Sequence, residues 1–445
     1  MSIELQKNDQ GSNHVPVGAV FQNMPVTRMH WKAGIALFIS FVVQMWESMI
    51  IILIGDSIGA SLKLTQVQIG SLIGSSPLGM ILGCLLWGKL VDKFGRKRTT
   101  IWSLLSYALI SLLSSFSVNF EILWWMRFLS GVALSGLLVV TFPYFTELLP
   151  VKVRGKAAVY LASGMPIGYL FAIGVTHLFG DLGWRWILGI SSLGGLWFLA
   201  ILSIPESPYW LVGKGRQKEA KEVIRKLSGG KIDSELDDVQ LVITDVKEGS
   251  FLELFKRKYV KMTVWMTIFS FCFSWGYWAL LSWLPLLLEK KGLSTPQGLG
   301  FLAITALFMF PGYMASASLT GRFGRKKVVF WFVLLAAIGG FGFATSNSVV
   351  EMYIWNFVYY FFSLGAWGVW NTWSGEMYPT DVRGVSVAWG LTAQNIASAV
   401  APGIIGAMLT ANLSFVAIVS FISLFLVVTC ISSLFLRETE NVILE

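Results

Sequence analysis

Two strongly ionisable side chains, Glu47 and Arg127, lie inside long apolar stretches of a chain of 445 residues. A charged group in hydrocarbon is costly, and residues of this kind usually pair with each other and serve a function. Burial disfavours the charged form of a carboxyl group, whereas a neighbouring guanidinium favours it. A carboxyl group balanced between these effects can bind a proton when the guanidinium moves or a solute arrives. Glu47 and Arg127 are therefore candidates for proton coupling, and the alternative is a static ion pair in an uncoupled carrier.

The elements that must position these two charges are membrane-spanning helices. Apolar residues make up 55% of the chain and charged residues 13%, and apolar runs of about 20 residues recur, the length that crosses a hydrocarbon layer. A rise of about 1.5 Å per residue puts Glu47 about 9 Å and Arg127 about 8 Å below the same edge of that layer. We expect an all-α membrane protein with twelve spans, at roughly 31–54, 68–88, 99–118, 122–143, 156–180, 184–204, 261–288, 297–320, 327–346, 349–373, 384–409 and 413–436.

A cationic loop occurs twice in the chain. It reads Gly-Lys-Leu-Val-Asp-Lys-Phe-Gly-Arg-Lys-Arg at Gly88–Arg98, and a shorter copy lies at Gly321–Lys327. Gly95 and Gly324 are 229 positions apart. The same offset relates a second motif, which consists of Glu147, Pro150, Arg154 and Gly155 and their counterparts Glu376, Pro379, Arg383 and Gly384. Two motifs that share one offset indicate a duplication, so we expect two six-helix repeats.

The distribution of Lys and Arg predicts the orientation in the membrane. Thirteen of these residues lie in the short loops on one side of the predicted spans and four lie on the other side. Loops rich in Lys and Arg stay in the cytoplasm, so both termini are expected there, in a protein of the cell membrane. Because the net charge of +9 arises from these loops, it does not indicate a nucleic-acid partner. The three cysteines lie far apart in apolar runs, and we expect no metal site, disulfide or cofactor.

The expected organisation has five parts. They are a cytoplasmic N-terminal segment at 1–29, a helix bundle at 30–204, a cytoplasmic linker at 205–260, a second bundle at 261–437 and a cytoplasmic tail at 438–445. The linker contains a predicted amphipathic helix at Gln217–Leu227. Four acidic residues follow it, namely Asp233, Glu235, Asp237 and Asp238. A solvated connection between the two bundles is the simplest interpretation of this stretch.

The motifs resemble those of the major facilitator superfamily over roughly residues 30–437. Gly88-x-x-x-Asp92-x-x-Gly95-Arg96-Lys97 is similar to the signature between spans 2 and 3. Arg127-Phe128-Leu129-Ser130-Gly131 resembles the start of span 4 in the sugar-porter and metabolite–proton symporter branches. Pro205-Glu206-Ser207-Pro208-Tyr209 resembles the Pro-Glu-Ser-Pro-Arg signature after span 6, with Tyr209 in the place of Arg.

Within this superfamily, the chain is more similar to the metabolite–proton symporter branch, which includes niacin-type and aromatic-acid carriers. Span 7 reads Phe-Ser-Trp-Gly-Tyr-Trp at 273–278 and lacks the Gln-Gln pair expected of a sugar porter. Trp283-Leu284-Pro285 and Pro311-Gly312 are similar to that symporter branch. The sequence Trp46-Glu47 falls where sugar porters carry Tyr-Asp, and the resemblance implies that this acid exchanges protons and pairs with the Arg of span 4.

The resemblance also implies a cytoplasmic latch that joins the two halves when the carrier opens outward. Arg96 and Arg154 would pair with Glu147 and Glu206. Gly88 would permit close helix packing, and Asp92 would lie at the positive end of a neighbouring helix. The expected latch residues are Gly88, Asp92, Gly95, Arg96, Glu147, Arg154, Glu206, Arg325, Glu376 and Arg383. The alternative is that the charged loops only set the orientation and carry solvated side chains.

A solute site is expected near the midplane, between the repeats. Buried amides need hydrogen-bond partners, and aromatic side chains supply apolar walls. The candidate lining residues are Gln44, Trp275, Trp278, Tyr359, Trp367, Asn371, Gln394 and Asn395. The chain has 20 Trp, and most are expected in the core or at the membrane interface. This set suits a small aromatic or carboxylated metabolite, although a sugar would use the amides as well.

Together these patterns predict a secondary transporter that works by alternating access, as a proton symporter of a small organic solute. Its expected partners are the solute, protons and the lipid bilayer, and we expect it to act as a monomer. A sugar transporter or an uncoupled facilitator is the main alternative. A nutrient sensor would need a longer signalling segment, and an intramembrane enzyme would need a catalytic cluster at membrane depth. A phosphate-binding loop of the form Gly-x-x-x-x-Gly-Lys-Ser/Thr is absent from the sequence, which argues against an ATP-driven motor.

Overall fold

Twelve helical spans form the body of the protein in a computed structural model, which describes residues 6–7, 13–22, 24–232, 239–243 and 250–439. Spans 1 to 4 are Arg28–Leu53, Gln66–Phe94, Arg96–Ser114 and Phe120–Leu148. Span 5 consists of Val151–Ala162 and Gly164–Phe179, and span 6 is Trp184–Leu202. Spans 7 to 12 are Val260–Lys290, Thr295–Phe323, Arg325–Thr345, Val349–Glu376, Thr380–Thr410 and Phe415–Ser433. The predicted twelve-helix architecture in two six-helix repeats is confirmed.

Nine of the described spans are long and apolar enough to cross a membrane by those two criteria alone. Spans 3, 10 and 11 are the ones that do not meet them. Span 3 begins with Arg96-Lys97-Arg98 and contains several serines, and span 10 is rich in Trp and Tyr. Span 11 begins with Thr-Asp-Val-Arg and carries Gln394 and Asn395 in its middle. These less apolar spans carry many of the side chains that concern function.

Glycine shapes the short turns that join spans 2 and 3 and spans 8 and 9. Gly95 has a φ of +93° and Gly324 a φ of +86°, a conformation that residues with a Cβ adopt only under strain. Each glycine lets a new helix begin at the next residue, Arg96 or Arg325. The repeated Gly-Arg-Lys sequence therefore folds in the same way in both halves. We call the end of the bundle that carries these loops the basic end and the opposite end the outer end.

The two halves touch mainly at the outer end. Among the described helices, extensive packing between halves is confined to spans 2 and 11, 5 and 8, and 1 and 7. Gly70 and Gly74 of span 2 lie against the backbone carbonyls of Pro402 and Ala399, so that a Cβ at either glycine would clash. Small residues permit such close helix contacts in membranes. The outer end is therefore closed in this conformation.

The N-terminal segment and the linker fold together at the basic end. Strand β1, Gln6–Lys7, pairs antiparallel with β2, Asn13–Pro16, and β2 pairs in parallel with β3, Gln240–Val242, of the linker. The predicted amphipathic helix is present as Gln217–Ser228, and it buries its apolar face. This part of the linker is thus packed rather than solvated, while the predicted acidic cluster at 233–238 lies outside the described residues.

Candidate functional site

Glu47 and Arg127 form an ion pair inside the first half. Nη1 of Arg127 lies 2.6 Å from Oε1 of Glu47, and the side chains of Arg127 and Glu47 are 2% and 1% exposed. Span 1 and span 4 run in opposite directions, and this brings the two residues to the same level, as the count along the helices predicts. Salt does not screen a pair this deeply buried as it screens a surface pair. The pair is neutral as a whole, which lowers the cost of holding two charges in the membrane.

Serine side chains from three spans surround the Glu47 carboxylate. Ser111 of span 3 donates to Oε1 at 3.2 Å, and Ser130 of span 4 donates to the same oxygen at 3.4 Å. Ser191 of span 6 donates to Oε2, and Tyr107 binds the backbone carbonyl of Ser191 at 2.9 Å. Hydrogen bonds to a carboxylate favour its charged form. These serines were not predicted from the sequence. Their position inside otherwise apolar helices could have indicated that they bind a buried polar group.

A cluster of tyrosines lies between the halves. Tyr169 of span 5 interacts with Tyr277 of span 7 and Tyr313 of span 8, and Tyr277 also interacts with Tyr360 of span 10. The hydroxyls of Tyr169, Tyr277 and Tyr360 are buried and make no hydrogen bond of good geometry within the described part of the chain. Buried hydroxyls without partners are unusual and indicate groups that a ligand or water can bind. None of these tyrosines was predicted.

The tyrosine cluster adjoins an apolar pocket. Tyr169 and Thr305 line this pocket, and its other walls are aliphatic or Pro and Met side chains from spans 1, 5, 7 and 8. Predicted residues extend the cluster on the other side, because the rings of Trp278 and Trp367 lie 5.4 and 5.5 Å from that of Tyr277. The pocket has a volume of about 20 Å³, which is room for about one water molecule, so the site for an organic solute is closed here in this conformation.

The other predicted lining residues lie in different surroundings. Gln44 is buried and its Oε1 lacks a partner among the described residues, as expected of a group that binds a ligand. Asn371 is exposed, Asn395 is half-buried and Gln394 is buried. No contact in the described structure joins these three amides to the tyrosine cluster directly. We keep them as proposed lining residues nearer the basic end.

Trp275 and Tyr359 do not face the space between the halves. Trp275 stacks on Phe425 of span 12, with ring centroids 4.5 Å apart. Tyr359 is fully buried and donates to the carbonyl of Gly276 at 2.5 Å. Both side chains fill gaps between helices of the second half, because glycines and aromatic rings of spans 7, 9 and 12 leave room for them there. The structure therefore gives these two candidates a packing role.

One of the ion pairs expected for the latch is present, and both of its partners lie in the first half. Arg96 binds Glu147 through two parallel hydrogen bonds, each 3.0 Å long. Glu206 instead accepts from the backbone amides of Arg96 at 2.9 Å and Lys97 at 3.2 Å, and so caps the start of span 3. Burial raises the pKa of Glu206, and these amides together with Arg96 partly offset that effect. The conformation of Gly95 makes room for this carboxylate, because a Cβ there would clash with it.

Arg154 does not pair with an acid in this conformation. It donates to the hydroxyl of Tyr209 at 2.8 Å and to the carbonyl of Leu149 at 2.9 Å, and Phe21 lies against its guanidinium. Tyr209, which stands where the family signature has Arg, thus offers Arg154 a neutral hydroxyl as hydrogen-bond acceptor.

Gly88 and Asp92 do not make the contacts expected of them in this conformation. A Cβ added at Gly88 would meet no atom of the described residues within 4 Å, so no neighbouring helix packs closely against this glycine. Asp92 is exposed rather than buried at the start of a neighbouring helix. The contact that Asp92 does make is through its backbone, because Nε1 of Trp210 donates to its carbonyl at 3.0 Å.

The second half repeats the first with one unpredicted residue. Arg325 pairs with Glu376, as expected. Glu438 accepts from the amides of Arg325 at 3.0 Å and Lys326 at 3.1 Å, and so caps span 9 as Glu206 caps span 3. The similarity of Arg437-Glu438-Thr439 to Pro205-Glu206-Ser207 could have revealed it. The buried Nε of Arg383 has no partner in the described part of the chain.

The described residues contain no group of three or more His, Cys, Asp or Glu that could hold a metal ion. The three cysteines are unpaired with one another. The chemistry that the site offers is therefore that of ion pairs, hydroxyls, amides and aromatic rings. Such groups can bind a solute and exchange a proton.

Comparison with known proteins agrees with this architecture. The profile of the Major Facilitator Superfamily matches residues 36–402. The chain is a member of the major facilitator superfamily, and thus a multi-pass membrane transporter rather than an enzyme. It is 28% identical over 430 residues to the niacin transporter NiaP of Acinetobacter baylyi, covering 95% of this chain and 98% of the relative. It is 27% identical over 389 residues to the 4-hydroxybenzoate transporter PcaK of the same organism, covering 83% of each.

The fold is similar to that of solved sugar transporters. The inward-open conformation of the xylose transporter XylE from E. coli has a TM-score of 0.79 at 17% identity, covering 93% of this chain and 98% of the other. The proton:xylose symporter XylE bound to 6-bromo-6-deoxy-D-glucose has a TM-score of 0.69, again at 17% identity, covering 93% and 97%.

Proposed function

We propose that this protein is a proton-coupled symporter of a small aromatic or carboxylated solute, working by alternating access. The buried pair of Glu47 and Arg127 carries this proposal. A helix-packing role alone would be served as well by apolar residues, which cost less to bury than two charges. The relatives named for niacin and 4-hydroxybenzoate support an aromatic solute of this kind.

The proposed mechanism begins with Glu47 held as a carboxylate by Arg127 and the serines. A displacement of Arg127 removes the charge that favours ionisation, so Glu47 takes up a proton. With Glu47 neutral, the first half carries no buried negative charge through the conformational change. Return of the guanidinium to Glu47 favours release of the proton. Glu47 thus carries one proton per cycle, and Arg127 controls when it binds.

The proposed solute site is the tyrosine cluster with Gln44, Trp278 and Trp367. Phenol hydroxyls and an amide offer hydrogen bonds to a carboxylate or a ring nitrogen, and the indole rings offer flat apolar surfaces. Because Tyr169 belongs to the first half and Tyr277 to the second, a solute that binds both draws the halves together. Asn371, Gln394 and Asn395 would line the path towards the basic end.

We place the basic end, both termini, the linker and the tail in the cytoplasm, in the cell membrane, and the protein acts as a monomer in this proposal. The excess of Lys and Arg in the loops of that end supports the orientation. In this view Arg96–Glu147 and Arg325–Glu376 belong to the cytoplasmic latch, with Glu206 and Glu438 capping the adjacent helices. Arg154 and Arg383 would complete the latch only in the outward-open conformation.

Uptake by purified protein in liposomes tests the proposal. The panel is nicotinate, 4-hydroxybenzoate and xylose, each with and without an inward proton gradient. We expect nicotinate or 4-hydroxybenzoate to accumulate against its gradient when protons flow inward. Glu47→Gln should abolish this accumulation, and Glu121→Gln, which alters an exposed acid at the start of span 4, should preserve it.

The same experiment separates the alternatives. Accumulation of xylose but not of the aromatic acids would favour a sugar transporter. Equilibration that ignores the proton gradient and survives Glu47→Gln would show a facilitator with a structural ion pair, and the coupling proposal would be wrong.

A further inference from the structure

A column of polar groups leads from Glu47 towards the outer end of the first half. Nη2 of Arg127 donates to Oγ of Ser114 at 2.7 Å. The helix of span 3 ends at Ser114, and the backbone amide of Ser117, three residues later, donates to the carbonyl of Ser114 at 3.1 Å. The carbonyl of Ser117 accepts from Nη2 of Arg185 at 2.9 Å. Ser114 and Ser117 are at most 1% exposed, whereas Arg185 is exposed at the start of span 6. These groups follow one another from the buried ion pair to the surface inside one half, and Ser114 and Ser117 are joined through their backbones.

Three buried polar atoms along this column lack partners within the described ranges. They are Nε of Arg127, Oγ of Ser117 and Nε1 of Trp184, the neighbour of Arg185 in the chain. Buried polar groups in proteins are almost always bonded to protein or to ordered water. Small hydroxyl side chains leave space beside them, and several polar atoms in one place are what a buried water needs. Three such atoms at one end of spans 3, 4 and 6 point to bound water.

We propose that Ser114 and Ser117, together with the water they bind, form a proton path between Glu47 and the outer side, separate from the solute cavity. The proposal rests on proton coupling at Glu47. A proton enters at the outer side, and each hydroxyl or water accepts one proton and passes one on. The carboxylate of Glu47 gains a single proton at the end of this relay. No group is oxidised or reduced.

Arg127 gates this path. Its guanidinium lies between Glu47 and Ser114, and its positive charge opposes the passage of a proton while the ion pair is intact. When Arg127 moves away, Glu47, which already accepts from Ser111 of span 3, loses its counter-charge and gains access to the hydroxyl of Ser114. The solute takes another route, because the space between the halves is closed at the outer end by spans 2 and 11. Loading of the proton and binding of the solute thus occur on different sides of span 1.

The test compares substitutions at Ser114 and Ser117 with one at Ser115. The hydroxyls of Ser114 and Ser115 both donate to carbonyls of their own helix, those of Ile110 and Leu112, but only Ser114 also accepts from Arg127, so Ser115→Ala is a control of matched size. Two rates are measured for each variant: uptake of nicotinate driven by an outside-acid gradient, and exchange of nicotinate in a counterflow assay, which moves no net proton. The measured quantity is the ratio of the first rate to the second. We expect Ser117→Val to lower this ratio about tenfold and Ser114→Ala and Ser117→Ala to lower it less. Ser115→Ala should leave it unchanged.

The outcomes distinguish this path from the proposed function. A normal ratio in Ser114→Ala and Ser117→Val, beside a Glu47→Gln variant that has lost coupling, would overturn the path and leave the symporter intact. Proton-driven uptake that survives Glu47→Gln would instead overturn the symporter. If Ser117→Val does not fold, the ratio measured for Ser117→Ala, which removes only the hydroxyl, takes its place in the test. A merely structural serine would alter uptake and counterflow equally, and the ratio would then stay constant and overturn the path.

Discussion

The two halves share one fold but differ in what they hold at equivalent places. In the first half, Glu47 and Arg127 form a charged centre between spans 1 and 4. The positions 229 residues later are Gly276 and Asn356. Gly276 offers only a backbone carbonyl, which accepts from Tyr359, and Asn356 donates to Thr305 at 2.6 Å. The second half is thus neutral where the first half is charged.

In the second half, other side chains stand at the positions that surround Glu47 and Arg127 in the first half. Ser130, which donates to Glu47, corresponds to Tyr359, and Ser111 corresponds to Gly340. The ring of Tyr359 lies beside Gly340 and takes up the volume that the carboxylate and guanidinium occupy in the first half. The same arrangement of helices therefore holds a charged pair in the first half and packed aromatic side chains in the second. Proton chemistry needs one such centre, and a second would add only the cost of burying charge.

The two halves remain alike at the basic end. Glu206 and Glu438 cap spans 3 and 9, and Lys97 and Lys326 donate to the carbonyls of Leu202 and Leu434 in the same manner. The duplication thus kept the capped turns of the basic end and varied the side chains buried between the helices.

Removal of one charge from the first half gives the largest expected effect. Arg127→Met leaves Glu47 buried without its counter-charge, and breaking a buried pair in this way costs about 3–5 kcal/mol. Asn356→Leu in the second half removes one neutral hydrogen bond and should cost about 1 kcal/mol. Thermal melting in detergent measures both changes.

The double variant Glu47→Gln with Arg127→Met serves as the control. It removes both charges, so its melting temperature should recover most of the loss while proton-driven uptake stays absent. A melting temperature of Arg127→Met no lower than that of Asn356→Leu would contradict the proposed difference between the halves.

The sequence allows the spans, the duplication and the charged pair to be predicted, because hydrophobic length, a shared offset and buried charge are local patterns. The tyrosine cluster could not be predicted, since helices distant in sequence bring Tyr169, Tyr277 and Tyr360 together. Trp275 and Tyr359 were misplaced for a related reason. A helix is apolar on all sides in a membrane, so its pattern does not tell which face meets the cavity. The pairing of the N-terminal segment with Gln240–Val242 also depends on contacts between distant segments.

The acids that cap spans 3 and 9, Glu206 and Glu438, allow a direct comparison of the two halves, with a smaller expected effect on stability. Glu206→Ala and Glu438→Ala each remove acceptors for two backbone amides at a helix start, and loss of a helix cap costs about 0.5–2 kcal/mol. We expect the two variants to lower the free energy of unfolding by similar amounts. Glu222→Ala, an exposed position on the Gln217–Ser228 helix, should have little effect. A loss confined to Glu206→Ala would mean that only the first half depends on its cap.

The smallest expected effect concerns the outer end, where each half contributes one acid. Asp56 follows span 1 in the helix Gly55–Leu62, and Glu289 ends span 7. Burial, and then the nearby carboxylate of Glu289, raise the pKa of Asp56 from 3.8 to about 6. A carboxyl group with a raised pKa favours the folded state while it is protonated. That contribution is complete below about pH 3.8 and is lost as the pH rises through about 6.

The folded state should therefore lose stability between about pH 4 and about pH 6, through this group, because two carboxylates then face each other where the halves close. The melting temperature of Asp56→Asn should fall less over that range than that of the unmodified protein. Glu289→Gln removes the smaller of the two causes and should give an intermediate result. An Asp56→Asn variant with the same pH dependence as the unmodified protein would show that Asp56 is already ionised at the acidic end of the range. The acids of the two halves would then act independently at the outer end.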